Sequence, residues 1–324
     1  MNFSDVKALV SEHIERVCHL MEETLSSDID LLNRTNASIL EGGGKRLRPM
    51  LALLCGWACG RVHSDTERFA AAAELLHNAT LLHDDVVDGA TTRRGRPTVM
   101  SVLNAPASVL IGDYWLTKAM ELILSAGSHA FEVISIFAKT LSDLAEGEML
   151  QMEKSDACDT VFADYERIIY CKTASLFEAS AYAAALSAEA PAPWQDAVRR
   201  YAVDLGIAFQ IRDDILDYSG GEIGKPVGQD LMERKITLPL LSALETVSPD
   251  EEAAVRRRLR DIPDDPAARE EIAAFVKEHQ GIPRAQRVLE SYIDRACQAL
   301  EVLPGSAQRD ALAEMARFIG IRNV

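Results

Sequence analysis

Asp84, Asp85 and Asp88 stand in the run Leu81-Leu82-His83-Asp84-Asp85-Val86-Val87-Asp88. The pattern returns at Phe209-Gln210-Ile211-Arg212-Asp213-Asp214-Ile215-Leu216-Asp217. Residues four apart on a helix lie on one face a single turn apart, so Asp84 and Asp88 sit together and repel. In otherwise apolar sequence such carboxylates need a cation. Hard oxygen ligands with room for water suit Mg2+, which is usually held by one or two carboxylates together with substrate phosphates. A lone copy reads equally well as a solvated helix face; two copies, each embedded in apolar sequence, do not. Facing each other across a cavity, they would hold several Mg2+ ions and, through them, a diphosphate.

Cations stand near both clusters. Gly43-Gly44-Lys45-Arg46-Leu47-Arg48-Pro49 sets Lys and Arg beside glycines, where a backbone can approach a ligand closely and the cations can neutralise phosphate oxygens. The Gly-x4-Gly-Lys-Ser/Thr spacing of a Walker loop is absent. Arg93-Arg94-Gly95 follows Asp88 closely enough for both guanidinium groups to reach ligands held there, with bidentate contacts to two separate diphosphates. His77 lies two helical turns before Asp84 on the same face. Lys172-Thr173 sits in an apolar helical run, and Lys225 and Lys235 follow the second cluster. Glu74-Leu75-Leu76-His77 fits the Glu-x-x-His signature of di-iron bundles, but that site needs a second copy, which the chain lacks.

The elements that must position these residues read as helix after helix. Val6, Leu9, Val10, His13, Ile14, Val17 and Met21 recur at three and four, and similar patterns cover roughly 45–59, 65–89, 106–124, 130–153, 161–186, 193–217, 235–246, 250–260, 266–279, 283–302 and 306–319. Gly- and Pro-containing breaks separate them, and no alternating stretch between hairpin turns predicts a sheet. The runs at 106–124, 161–186 and 193–217 are apolar on more than one face and belong inside a bundle. A ligand site in such a protein is a cavity between helices.

The net charge of −16 excludes general binding to nucleic acid, since the overall field repels phosphate. Phosphorylated ligands then require a local basic patch or metal ions. The cysteines at 18, 55, 59, 158, 171 and 297 lack zinc or redox spacing and read as buried free thiols of a reducing cytoplasm. The chain opens on an acidic amphipathic stretch, not a basic and apolar leader, and the uncharged run from Thr98 to Gly112 is too short to span a bilayer. That run is a candidate for a subunit interface or for internal core.

Taken in order, the motif at 43–49, His77-x6-Asp84-Asp85-x-x-Asp88, Arg93-Arg94-Gly95, Lys172-Thr173 and Phe209-Gln210-x-x-Asp213-Asp214-x-x-Asp217 resemble those of the trans-polyprenyl diphosphate synthases. The likeness runs from about residue 40 to 240, with a weaker family-like ending at 318–322. It implies an all-α, single-domain bundle of about ten or more helices around a deep central cavity, the isoprenoid synthase fold. That domain covers 1–324, with 235–324 as peripheral C-terminal helices. The resemblance further implies a cytoplasmic homodimer that joins isopentenyl diphosphate head to tail to an allylic diphosphate, such as farnesyl or geranylgeranyl diphosphate. By position, Asp84, Asp85, Asp88, Asp213, Asp214 and Asp217 resemble ligands for as many as three Mg2+ ions. Arg93, Lys172, Lys225 and Lys235 resemble contacts to the allylic diphosphate, with Thr173 and Gln210 near its reacting end. Gly44, Lys45, Arg48, His77 and Arg94 resemble the isopentenyl diphosphate pocket. Gly89-Ala90-Thr91-Thr92 departs from relatives that carry an acidic or Ser residue in this loop, so altered loop detail is expected there.

In this family bulky residues just before the first aspartate motif stop chain growth. Here Ala79 and Thr80 are small and lie about a helical turn below the metal site, which implies a prenyl tail of roughly hexaprenyl to nonaprenyl size (about C30 to C45), as for a quinone side chain. Phe131 and Phe137 are candidates for a deeper floor. Two alternatives stand beside this reading: a farnesyl or geranylgeranyl diphosphate synthase, and a catalytically silent regulatory subunit. The second is expected to lack metal ligands or cations that this chain keeps. A terpene cyclase would have no purpose for the isopentenyl diphosphate pocket.

Overall fold

A computed structural model describes residues 2–42, 44–219 and 228–321. Five helices come first: α1 (Phe3–Leu9), α2 (Ser11–Thr24), α3 (Asp30–Glu41), α4 (Leu47–Ala58) and α5 (Ser64–Val87). A short antiparallel pair, β1 (Thr92–Arg93) and β2 (Arg96–Pro97), follows. Next are α6 (Val99–Val102), α7 (Ala105–Leu124), α8 (Ala130–Ala157), α9 (Phe162–Ile169), a π-helical turn (Tyr170–Ala174), α10 (Ser175–Ser187) and α11 (Ala192–Ser219). The rest is α12 (Gln229–Met232), α13 (Leu238–Leu244), α14 (Pro249–Arg260), α15 (Pro266–Glu278), α16 (Gly281–Ala299), a 3-10 turn (Leu300–Val302) and α17 (Ala307–Ile321).

The periodic runs form the helices expected of them, with four differences: the first is that the run from Val6 to Met21 is broken at Val10 into α1 and α2. The run at 161–186 is not one uniform helix, because the π-helical turn sits inside it. Helix α3 carries Asn36 as its buried residue, so apolar periodicity alone does not mark it. The β1–β2 hairpin pairs Thr92 with Pro97 and Arg93 with Arg96, around Arg94 and Gly95 at φ 52° and 74°. Two consecutive positive-φ residues are the geometry of a two-residue hairpin turn, which overrides the absence of alternation.

The chain divides into two compact units, 1–139 with 176–199 and 300–314, and 140–175 with 200–299 and 315–324. In the first unit α5 packs against α2, α4 and α7. Ala70, Ala71, Ala72 and Ala73 are fully buried there, and their small side chains let neighbouring backbones come close. Trp115 of α7 is fully buried, and its Nε1 donates to Asn36 Oδ1 at 2.8 Å, while Asn36 Nδ2 donates to the Leu25 carbonyl at 3.0 Å. Two polar groups inside an apolar core thus satisfy each other. Asp65, near the start of α5, accepts from the Gly127 and Ser128 amides at 3.2 and 3.0 Å and so ties down the α7–α8 connection.

In the second unit α11 meets the π-helical turn at Gly206. A Cβ added there would lie 2.5 Å from Ala174 Cα, so the contact is backbone against backbone and tolerates only glycine. Helix α13 packs on α16 in the same way, Gly281 lying against the Pro239 carbonyl. Cys55, Cys59, Cys158 and Cys171 are buried free thiols as expected, whereas Cys18 and Cys297 are half-buried. Among the described residues no helix is long and apolar enough to cross a membrane.

Candidate active site

In the first unit α5 ends on the first aspartate motif, with Asp88 as its C-cap. Carboxylates at the negative end of a helix dipole repel the last carbonyls as well as one another, which raises their need for a cation. The three are not equivalent. Asp85 is 4 % exposed and accepts from Arg93 Nε at 2.7 Å, whereas Asp84 is half-buried and Asp88 exposed. Neighbours on a helix point about 100° apart, so Asp84 and Asp88 share one face and Asp85 turns to the hairpin. Arg93 is thereby fixed by the motif it was expected to assist.

The hairpin places the cations. Arg94 reaches the glycine segment so closely that a Cβ on Gly44 would lie 2.6 Å from its Nη1. The imidazole of His77 is driven well below the usual histidine range, first by burial and then by Arg48, Arg94 and Arg93. It is therefore neutral and can serve only as a dipolar donor or acceptor. Burial lowers Arg48 to about 10, with Arg94 pushing the same way and Glu74 opposing, so it still carries its charge at neutral pH. Its guanidinium carbon lies 4.9 Å over the Phe177 ring, and its Nε is a buried donor with no hydrogen-bond partner among the described residues. Three cations that bear on one half-buried imidazole, one of them with an unmatched donor, suit an anion.

His77 also sets an acid limit on stability. A depressed folded-state pKa means that the unfolded chain binds the extra proton first, so stability is full above about 6.5 and is lost as pH falls through the folded value. Urea unfolding from pH 7 to 5 is expected to show stability falling by up to about 1.4 kcal/mol per pH unit from this group. His77→Gln should flatten that slope; an unchanged slope would assign the acid sensitivity elsewhere.

Ala79 is fully buried, and the Thr80 hydroxyl is half-buried and donates to the His77 carbonyl at 2.9 Å. Phe137 is buried, but Phe131 is 82 % exposed. An expectation that Phe131 floors an interior space is therefore corrected: its place on the first turn of α8 puts the ring in solvent.

In the second unit Asp213, Asp214 and Asp217 lie in the last turns of α11. Again the middle residue is taken up by protein. Asp214 is 3 % exposed and accepts from Tyr165 Oη at 2.6 Å and from Gln210 Nε2 at 2.9 Å. Gln210 Oε1 in turn accepts from Thr173 Oγ1 at 2.9 Å. Burial pushes the Asp214 carboxyl up to about 7 against the lowering effect of these donors. Asp217 accepts from the Gln229 and Asp230 amides, each at 3.1 Å, which anchors the start of α12. Lys172 and Thr173 ride on the π-helical turn, a wide turn that recurs at functional sites. Lys172 Nζ lies 2.5 Å from Glu148, and Lys235 pairs with Glu233. A cavity of about 150 Å³ is lined by Tyr165, Lys172, Gln210, Asp214, Asp230 and Lys235 among others. Lys225 and Arg322 lie outside the described residues.

The donor chemistry fits Mg2+. Among the described residues no three His, Cys, Asp or Glu side chains gather into a ready metal cage. A cation held by one or two carboxylates and completed by water and phosphate oxygens is the usual Mg2+ arrangement. Sequence reasoning missed Tyr165, Asp230 and the true partner of Glu74. Tyr165 is remote from the motif it serves, whereas Asp230 stands between Lys225 and Lys235 after the second cluster and could have been singled out.

A family model described as polyprenyl synthetase matches residues 29–278. The chain is 35 % identical to the all-trans-nonaprenyl-diphosphate synthase (geranyl-diphosphate specific) of Rhodobacter capsulatus, over 97 % of this chain and 96 % of that one. It is 36 % identical to the octaprenyl diphosphate synthase of Haemophilus influenzae, over 100 % of this chain and 98 % of the relative. The crystal structure of a decaprenyl diphosphate synthase from Rhodobacter capsulatus superposes with a TM-score of 0.92 at 34 % identity, covering 99 % of each chain. With a family match over most of its length and a shared all-α isoprenoid synthase fold, this chain belongs to the polyprenyl synthetase family of trans-prenyltransferases.

Proposed function

We propose that this prenyltransferase joins isopentenyl diphosphate to an allylic diphosphate, farnesyl or geranylgeranyl diphosphate, and extends it to an all-trans product of roughly C30 to C45, the size of a quinone side chain. The observation that carries the reading is the cation cluster of Arg48, Arg93 and Arg94 around neutral His77, with the unmatched Arg48 Nε buried in it. In this reading Gly44, Lys45, Arg48, His77 and Arg94 hold isopentenyl diphosphate, and Gly44 lets the backbone come close. Arg93, Lys172, Lys225 and Lys235 contact the allylic diphosphate, and Thr173 and Gln210 lie by its reacting end.

Asp84 and Asp88, with Asp213 and Asp217, would hold as many as three Mg2+ ions, which neutralise the charge that develops on the leaving diphosphate. Asp85 and Asp214 act behind them, Asp85 by orienting Arg93 and Asp214 by orienting Gln210. The cations stabilise the departing diphosphate, and the allylic C–O bond ionises. The double bond of isopentenyl diphosphate attacks the allylic carbon, and a proton is then lost to the released diphosphate. Nothing in this scheme needs a Ser, Cys or His nucleophile.

The whole of 1–324 serves as one catalytic domain in this proposal, with 235–324 peripheral. Exposed Val102, Val109 and Leu110 support a homodimer through α6 and α7, which sedimentation would read directly. The run from Thr98 to Gly112 then splits, since Thr98, Ser108, Ile111 and Gly112 are buried in the unit itself.

Incubation of the purified protein with Mg2+, isopentenyl diphosphate and farnesyl diphosphate tests the reading, with products sized by mass spectrometry. Products of about six to nine isoprene units are expected, lost on chelation and restored by Mg2+. A stop at four units would keep the chemistry and move the floor. No product from any allylic primer would favour the silent subunit.

A further inference from the structure

Glu74 has a use unlike the di-iron role its spacing with His77 first suggests. It is 5 % exposed on α5, one turn before His77, and Arg46 Nη1 lies 3.3 Å from its Oε1. Arg46 belongs to the same short segment as Lys45 and Arg48, but its guanidinium reaches α2, α3 and α5. Its Nη2 donates to the Leu40 carbonyl at 3.1 Å at the end of α3, and its Nη1 lies 4.0 Å from Met21 Sδ of α2. It is the N-cap of α4 in a left-handed backbone conformation, φ 51° and ψ 41°. A non-glycine residue keeps that conformation only where its surroundings enforce it.

The arrangement is a pin. Lys45 is exposed on one side of Arg46 and Arg48 is half-buried on the other, so a guanidinium anchored between them fixes where both begin. Glu74 is also the carboxylate that opposes the depression of Arg48. Arg48, Arg94 and Arg93 all bear electrostatically on His77, and Arg94 bears on Arg48, so these like charges repel before any anion arrives. Glu74, 5 % exposed and paired with Arg46, is a carboxylate that can offset this repulsion while lying almost wholly out of solvent.

We infer that Glu74 and Arg46 are a positioning pair for the isopentenyl diphosphate subsite, a part-buried ion pair that pins the 44–48 segment so that Lys45 and Arg48 are preset for the diphosphate. This inference rests on the assignment of that subsite above. Neither residue touches substrate, so both act through Lys45 and Arg48. The pair should therefore govern one substrate and not the other.

The test is calorimetric titration of isopentenyl diphosphate into the full-length protein and into Glu74→Gln, Arg46→Met and the double variant, with steady-state kinetics for each substrate. Each single change should weaken isopentenyl diphosphate binding roughly tenfold or more and raise its KM accordingly, while the KM for the allylic primer moves less than about twofold. The double variant should be little worse than either single one, because the two groups act as a unit. Should Glu74→Gln fail to fold, Arg46→Lys carries the same expectation, since an ammonium keeps the charge but lacks the fork that spans Leu40 and Glu74. Equal losses for both substrates, additive losses in the double variant, or unchanged isopentenyl diphosphate affinity in a folded variant would overturn the pair. A wild type that binds isopentenyl diphosphate without turnover, with Glu74→Gln weakening that binding, would sink the synthase reading and keep the pair. A wild type that binds none would overturn both.

Discussion

Asp84→Ala is expected to lower kcat on the order of 10³-fold, because losing several kcal/mol of metal-mediated charge stabilisation costs a factor of ten for each 1.4 kcal/mol. Asp88→Ala should behave alike, since helical spacing sets the two carboxylates on one face. Asp85→Asn should not. Asp85 is buried and accepts from Arg93 Nε at 2.7 Å, and Asn keeps an acceptor oxygen while losing the charge. Its cost is that of one charge-assisted hydrogen bond, about tenfold in rate. The two classes also differ in metal response. Raising Mg2+ should partly restore the Asp88 variant and leave the Asp85 variant unmoved. Steady-state assays across a Mg2+ titration would show this, and equal losses in all three variants would refute the division of labour within the motif.

Thr80→Phe is expected to shorten the product by several isoprene units, with the protein still folded and active. A growing apolar tail needs accessible surface to pass along, and Thr80 is half-buried one turn below Asp84. Ala79→Phe should shorten the product too, but Ala79 is fully buried, so the extra ring also overpacks the core at a cost of about 1–3 kcal/mol. Mass spectrometry of products from the two variants, with thermal unfolding alongside, separates the effects. A product length unchanged in both would mean that the small residues there serve helix packing alone. Phe137 would remain as a floor to test, whereas exposed Phe131 would not.

Much of this protein is legible without coordinates because much of its physics is local. Apolar residues at three and four set the helices, and Gly and Pro mark their ends. Two carboxylate pairs at helical spacing in apolar surroundings call for a hard cation. Cations near each pair, in a chain of net charge −16, call for a phosphorylated ligand held locally. The hairpin that carries Arg94 escaped notice because it is two residues long on each side, too short for alternation to show.

Tertiary structure alone decided which member of each set faces where. Asp85 and Asp214 are identical in kind to their neighbours, and only packing assigns them to Arg93 and to Tyr165 with Gln210. Arg46 and Arg48 are two residues apart with the same side chain, yet one is pinned to Glu74 and the other lies against Phe177 in the cation cluster. Glu74 looked like half of a metal motif until its partner, 28 residues earlier, came into view. The physical reason is the same in each case. Residue type and spacing determine what a side chain can do, but its charge, solvation and partners come from chain segments distant in sequence, and those meet only when the helices pack.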